Sequence, residues 1–250
     1  MGLVFFVVLA YLAISINASL RIYDGTDAVD GQYPFVVSLR VDTIEKNQTY
    51  LCVGSILDSR FILTAAHCLR NFKHDALTIV AGSNLLEGGS QQTYKSEYLV
   101  MHEKFQNIEN DIGIIRVDRD IDLNDKVQPV KLFQDKFEEV DYPVILTGWG
   151  DTNAEDPVNR LQQLLTTVVD LNRCRYSYDD LIKDTHLCTS SNTKRGACVG
   201  DSGSPVIADG TLIAIFSFVD EFCGNGSPEV NTRIYPYLQW IEEQLSSFQN

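Results

Sequence analysis

The chain has 250 residues, of which 44% are hydrophobic, 10% aromatic and 22% charged. This composition is typical of a globular protein with a sizeable core and excludes a wholly disordered chain. The formal net charge of −14 at pH 7 would repel phosphate groups, so we expect neither nucleic acid nor an anionic membrane as a partner.

The first segment has the layout of a secretory signal peptide. Residues 3–16 form an uncharged apolar run, and the small residues Ala18 and Ser19 follow closely. This run is shorter than the roughly 20 apolar residues of a transmembrane helix. We therefore expect residues 1–18 to be removed near Ala18 and the mature protein to be secreted to an extracellular compartment. The alternative is a buried N-terminal core segment.

Short β-branched and aromatic segments separated by turns follow along the chain. They predict strands at 35–41, 51–57, 61–65, 77–81, 144–147, 206–207 and 212–218. Strands so closely spaced indicate a sandwich or a barrel. After Pro236, apolar residues recur at helical spacing through Leu245 and predict a terminal helix docked on the barrel. No repeat or proline-rich linker marks a domain boundary.

The even number of cysteines predicts a disulfide framework. An exported protein keeps its thiols oxidised, so we expect three disulfides, although six cysteines allow fifteen pairings. None of the spacings has the close-pair form of a structural zinc site, and we expect no metal and no cofactor. The cysteines are Cys52, Cys68, Cys174, Cys188, Cys198 and Cys223.

Three segments carry residues suited to nucleophilic catalysis. Ser202 lies among small residues in 200–205, where a substrate backbone could approach closely, although a plain turn would use the same residues. His67 ends an apolar strand and Asp111 directly precedes another. Taken singly, they suggest a core histidine and a strand-start residue. A hydroxyl, a base and a carboxylate that orients the base are together what peptide hydrolysis requires.

The order His, Asp, Ser makes the set far more specific than any one member. On these segments the chain resembles the trypsin and chymotrypsin family of serine proteases, in particular its arthropod chymotrypsin-like and elastase-like members. Further matching patterns stand at 33–34, 52–57, 64–68, 111–115, 148–150, 228–232 and 240–241. The resemblance implies one all-β peptidase domain over residues 22–250. It would have two six-stranded antiparallel β-barrels with the active site between them, and a C-terminal α-helix.

The resemblance also implies the role of each residue. Ser202 would be the nucleophile, His67 the general base and Asp111 the orienting carboxylate of a serine endopeptidase that acts through an acyl-enzyme. The backbone amides of Gly200 and Ser202 would form the oxyanion hole. The implied disulfides join Cys52 to Cys68, Cys174 to Cys188, and Cys198 to Cys223.

Activation by cleavage is a further implication of the family. A trypsin-like protease would cut after Arg21 and release 19–21 as a short propeptide. The new ammonium group of Ile22 would then pair with Asp201. Tyr23 and Asp24 depart from the family pattern, which usually has a small aliphatic residue and a glycine there.

The resemblance places the specificity pocket at five positions. Gly196 stands at its floor, where trypsin-like relatives have Asp, so cleavage after Lys or Arg in the ordinary trypsin manner is not expected. Val219 would narrow the entrance, Glu229 could offer a displaced acid, and Ser217 and Phe218 would form the strand that pairs with substrate. An apolar chymotrypsin-like pocket, a small elastase-like pocket and a mixed pocket with some basic acceptance all remain open. We favour the first two jointly.

Other expectations concern partners and rival functions. Asn47 and Asn225 begin glycosylation sequons. We expect a monomer that meets protein or peptide substrates, its activating protease and protein protease inhibitors. The main alternative is a non-catalytic secreted homologue that acts as a binding or regulatory protein. An α/β-hydrolase esterase fits poorly, because its serine motif and the position of its histidine differ.

Overall fold

The computed structural model describes residues 25–43, 48–89, 91–150, 159–191, 195–220 and 223–248. The predicted signal peptide, the predicted propeptide with Arg21, and Ile22 and Asn47 lie outside these residues. None of the helices within them has the length and apolar character needed to cross a membrane.

Strands make up most of the regular structure. In chain order they are β1 (Thr26–Asp27), β2 (Val36–Thr43), β3 (Gln48–Ile56), β4 (Phe61–Thr64), β5 (Thr78–Ala81), β6 (Gln92–Met101), β7 (Gly113–Val117), β8 (Lys131–Leu132), β9 (Pro143–Gly148), β10 (Gln162–Val169), β11 (His186–Ser190), β12 (Pro205–Ala208), β13 (Thr211–Phe218) and β14 (Glu229–Arg233). The helices are α1 (Leu171–Tyr178) and α2 (Leu238–Ser247), with short 3₁₀ helices at Ala66–Cys68, Asp179–Leu181 and Tyr235–Tyr237.

These strands form the two barrels that the resemblance implies. The first closes in the order β2-β3-β4-β7-β6-β5, with every neighbouring pair antiparallel. The second has the order β9-β10-β11-β14-β13-β12 and closes because β9 pairs with both β10 and β12. Strand β1 adds to β10, and β8 runs parallel to the start of β13. The protein is therefore all-β in its architecture.

The terminal helix packs on the first barrel, although it follows the last strand of the second. Trp240 and Ile241 are buried on its inner face. The ring of Trp240 lies 5.1 Å from that of His102, and Phe248, just after the helix, packs against Phe61 at 5.7 Å. The predicted helix thus exists and links the two barrels.

The described part of the chain contains three disulfides and no free cysteine. They are Cys52–Cys68, Cys174–Cys188 and Cys198–Cys223, the pairings that the resemblance implies. The first ties β3 of the first barrel to the short helix after β4, and the second ties α1 to β11. The third joins the loop before β12 to the loop between β13 and β14, so the three bonds limit how far these loops can move.

Candidate active site

His67 and Asp111 are brought together by the pairing of two strands. His67 lies in the 3₁₀ helix directly after β4, and Asp111 lies two residues before β7. Because Thr64 at the end of β4 pairs with Gly113 at the start of β7, the residues just beyond these ends must lie side by side. Asp111 Oδ2 is 2.7 Å from His67 Nδ1, and Asp111 Oδ1 accepts the backbone N–H of His67 at 2.8 Å. The carboxylate therefore fixes both the ring and the backbone of the histidine.

The second barrel supports this carboxylate from the other side. Ser217 of β13 donates its hydroxyl to Asp111 Oδ2 at 2.5 Å, and Thr232 of β14 donates to the backbone oxygen of Asp111 at 3.0 Å. The side chain of Asp111 is 1% exposed, whereas that of His67 is 28% exposed. The pair therefore spans the junction of the barrels, with the carboxylate enclosed and the imidazole open to solvent.

Ser202 lies in the turn that leads into β12, against the disulfide beside His67. Its backbone oxygen accepts the N–H of Val53 at 2.8 Å and is 3.7 Å from the sulfur of Cys68. The same sulfur is 3.8 Å from His67 Nε2. In the described part of the chain, no hydrogen bond joins Ser202 Oγ to His67 Nε2. The structure thus places the serine next to the imidazole without closing that contact.

The turn around Ser202 has a glycine-dependent backbone. Gly200 and Gly203 have φ values of +96° and +81°, a region that side chains other than glycine rarely adopt. A Cβ atom at Gly203 would overlap the backbone oxygen of Val53. The N–H of Gly203 donates to the Phe216 oxygen, but the N–H groups of Gly200 and Ser202 donate to no other described residue. Two amides of this turn therefore have no hydrogen-bond partner among the described residues.

A buried carboxylate fixes the chain around this turn. Asp201 is fully enclosed, accepting the N–H of Gly150 at 2.7 Å and that of Cys198 at 2.9 Å. A side chain at Gly148 or Gly150 would overlap this carboxylate. The glycines of 148–150 are thus explained by the close approach of Asp201.

Comparison with known proteins decides the family. The family model described as Trypsin matches residues 22–241. The chain belongs to the trypsin family. It is 40% identical to a chymotrypsin-2 of Vespa crabro, over 89% of this chain and 99% of that protein. It is also 31% identical to a collagenase of Hypoderma lineatum, over 89% and 86% of the two chains. A solved HL collagenase structure superposes with a TM-score of 0.77 and 30% identity, covering 89% of this chain and 98% of the other.

In this trypsin-family chain, two of the predicted pocket residues meet in the second barrel. A Cβ atom on Gly196 would lie 3.1 Å from Glu229 Oε1, so the carboxyl group faces the glycine. Thr189 donates its hydroxyl to Glu229 Oε2 at 3.2 Å. Burial raises the pKa of Glu229 to about 7, against the smaller opposing effect of its hydrogen bonds. The acid at this position therefore changes charge near neutral pH.

The other pocket residues lie along the end of β13. Ser217 is buried and contacts Asp111, while Phe218 and Val219 are partly buried. Phe218 packs edge-on against Tyr178, with 5.3 Å between the ring centres. Val219 packs against the apolar core of the second barrel.

Tyr178 holds the loops beside the predicted pocket, and no motif in the sequence indicates this role. Its hydroxyl donates to the Pro228 oxygen at 2.7 Å and accepts the N–H of Asp220 at 3.1 Å. Burial raises its pKa to about 12, so the phenol stays neutral and can donate. It ties together the two segments that follow β13 and precede β14.

Two further predicted features can be located. Asn225 is exposed, as a glycosylation site requires, and its side-chain oxygen accepts the N–H of Ser227. Glycosylation there stays a prediction, as does that of Asn47, which is outside the described residues. Among the described residues, only Cys52, His67 and Cys68 cluster like metal ligands, but the two sulfurs are bonded to each other and are not thiolates.

Proposed function

We propose that the chain is a serine endopeptidase in which Ser202 attacks the peptide carbonyl, His67 takes the proton and Asp111 orients the imidazole. Membership of the trypsin family makes a protein substrate the natural expectation. The observation that carries the proposal is the pair formed by His67 and a carboxylate that is 1% exposed. An enclosed carboxylate on Nδ1 leaves Nε2 as the nitrogen that accepts a proton.

The reaction would proceed through an acyl-enzyme. Ser202 Oγ bonds to the substrate carbonyl carbon as its proton passes to His67 Nε2, and Asp111 stabilises the resulting imidazolium. The amides of Gly200 and Ser202 would receive the oxyanion, and losing one such donor typically costs about 3 kcal/mol of transition-state stabilisation. The imidazolium then protonates the leaving amine, and water releases the acyl group by the same steps.

The missing hydrogen bond between Ser202 and His67 is compatible with this mechanism. Catalytic hydrogen bonds are often long in the free enzyme and tighten when substrate binds. The serine backbone already abuts the disulfide that flanks the histidine. The mechanism requires the Ser202 hydroxyl to form this hydrogen bond when substrate binds.

We further propose that the protein is secreted as a monomeric zymogen. Cleavage after Arg21 by a trypsin-like protease would free the ammonium group of Ile22 to pair with Asp201. The position of Asp201 supports this idea, because it is enclosed and immediately adjoins Gly200 and Ser202. A charge arriving at Asp201 could therefore adjust both oxyanion amides. Protein protease inhibitors would bind the same cleft.

Primary specificity is proposed to be chymotrypsin-like or elastase-like. Gly196 supplies no charge at the pocket floor, and the partly buried Val219 narrows its wall. Glu229 lies against Gly196 and is largely neutral below pH 7, which favours apolar side chains over basic ones there. One of the relatives is named chymotrypsin-2, in keeping with the first of these preferences.

The test is to express the full chain, cleave it with immobilised trypsin, remove the trypsin and profile the product on a peptide library. The Ser202→Ala variant, treated identically, is the matched control for carried-over trypsin. We expect cleavage after apolar residues by the wild type only. Equal activity in both samples would contradict the proposed nucleophile, and strong cleavage after Asp or Glu would contradict the proposed pocket. A wild type that is inactive after confirmed cleavage would favour the non-catalytic alternative.

A further inference from the structure

A fully buried histidine of the second barrel holds the loop that carries Asp111. His186, at the start of β11, has no exposed surface. Its Nε2 is 3.2 Å from the backbone oxygen of Ile108, three residues before Asp111. Its Nδ1 accepts the backbone N–H of Lys183 at 3.0 Å. One imidazole therefore connects the turn that precedes β11 with a loop of the first barrel.

The two partners fix the protonation state of this ring. A backbone N–H can only donate, so Nδ1 facing Lys183 must carry no hydrogen. A backbone oxygen can only accept, so Nε2 facing Ile108 must carry one. Both contacts are satisfied only by the neutral ring with its hydrogen on Nε2. An imidazolium would turn an N–H group toward the N–H of Lys183 and lose that bond.

Two neighbouring side chains hold the same loop. Thr232 is the cross-strand partner of His186 in the pairing of β11 with β14, and its hydroxyl donates to the backbone oxygen of Asp111 at 3.0 Å. Tyr237 donates its hydroxyl to the side-chain oxygen of Asn110 at 3.0 Å. Together with His186 they hold the loop at Ile108, Asn110 and Asp111. The position of the carboxylate is thus set by the second barrel as well as by its own strand.

We propose that His186 is a positioning residue for the reaction, which acts through the Ile108 carbonyl to hold Asp111 in register with His67. The idea rests on the proposed function, since it assigns Asp111 its catalytic task. His186 does not touch substrate or the reacting atoms. Its donor at Nε2 is the part that matters for catalysis, while its acceptor at Nδ1 serves the local fold.

The same geometry makes the local fold around Nδ1, but not the donor at Nε2, sensitive to acid. Burial lowers the pKa of His186, and Lys183 lowers it further, while Ile108, Glu109 and Asp111 act in the opposite direction. Arg233 of β14 donates to the backbone oxygen of His186 and Tyr237 faces the same loop. The pKa of His186 in the folded protein lies below the ordinary value of 6.5. The neutral ring's contribution to folding stability is therefore complete above about pH 6.5. It is lost as the pH falls through the lowered pKa.

Two substitutions separate the two nitrogens. His186→Gln keeps an N–H donor at the position of Nε2, whereas His186→Asn keeps an acceptor at the position of Nδ1 and leaves the Ile108 oxygen without its donor. Both variants remove the ring, so both should lower the melting temperature. For activated enzyme, normalised by active-site titration, we expect kcat to fall about five- to tenfold in His186→Asn and to stay within about twofold of wild type in His186→Gln, with KM little changed.

Two further readouts exclude a merely structural role. The proton resonance of the hydrogen bond between His67 and Asp111 should shift or broaden in His186→Asn and stay in place in His186→Gln. The ratio of wild-type kcat to that of His186→Gln should stay constant as the pH drops below 6, because the protonated ring keeps its N–H on Nε2 and all other catalytic groups are common to both enzymes. Equal kcat in both variants and wild type, or an equal loss in both with an unchanged resonance, would overturn the proposal. An active wild type in that experiment leaves the proposed function standing, whereas a wild type that cannot be titrated at Ser202 refutes the proposed function itself.

Discussion

Raising the pH from 6 to 8 should change the balance between basic and apolar side chains that the pocket accepts. The pKa of Glu229 is about 7 because burial disfavours its charge, so its ionised fraction rises from about one tenth to about nine tenths over this interval. The carboxyl group lies against Gly196, at the proposed pocket floor. The ratio of kcat/KM for a lysyl substrate to that for a methionyl substrate should therefore rise up to about tenfold.

The assay is a competition between two peptides that differ only at the residue before the cleaved bond. Their relative rates in one reaction give the ratio directly, and any effect of pH on the catalytic groups cancels because both substrates use the same groups. Glu229→Gln should make the ratio independent of pH. Thr189→Val should move the midpoint to higher pH, because the hydroxyl of Thr189 favours the ionised acid. A flat ratio in the wild type, or the same rise in Glu229→Gln, would refute the reasoning.

The structure supports three further predictions. Glu229→Gln should be more stable than wild type at pH 8 by up to about 3 kcal/mol in urea unfolding. The raised pKa of Glu229 means that the stability of the wild type falls as the pH rises from about 4.5 to about 7. A stability difference that persists at pH 4 would count against this. Asp111→Asn should lower kcat by about 10⁴-fold by favouring the wrong tautomer of His67, and a loss under about tenfold in steady-state kinetics would contradict the role of the carboxylate. Gly203→Ala should prevent folding, because its methyl group would overlap the backbone oxygen of Val53. Gly210→Ala has the same sign of φ but open space around it, and should lower the free energy of unfolding by only about 1 kcal/mol. Similar melting temperatures for the two variants would show that steric overlap is not decisive.

The apolar strands could be predicted because residues buried on both faces of a strand appear in the sequence as continuous apolar runs. The predicted strand at 61–65 corresponds to β4, and that at 77–81 to β5, within one residue at either end. The terminal helix was predicted from its helical spacing.

Strands of polar composition were missed for a physical reason. The strands β11 and β14 read HLCTS and EVNTR, and most of their polar side chains are buried. The hydroxyl of Thr232 and the side-chain nitrogen of Asn231 donate hydrogen bonds to partners more than 40 residues away. Hydrophobic periodicity cannot register such partners. The helix α1 was also missed, although Asp170 before it accepts the N–H of Asn172, a capping signal present in the sequence.

The residues of the candidate site were likewise predictable only in part. His67, Asp111 and Ser202 could be proposed from motif order and family resemblance, because each lies in a short, distinctive segment. Ser217 was assigned only to substrate binding, yet it also donates to Asp111. His186 gave no signal at all, because its role depends on a loop 78 residues earlier in the chain.

Covalent labelling of Ser202 tests the central claim most directly. Wild-type protein, cleaved after Arg21 and treated with an organophosphonate or sulfonyl fluoride, should gain one probe on the peptide that contains Ser202, as read by mass spectrometry. Ser202→Ala should gain none, and Asp111→Asn should react far more slowly. Absence of label on correctly cleaved wild type, or label on another serine, would contradict the assignment of Ser202 as a nucleophile activated by His67.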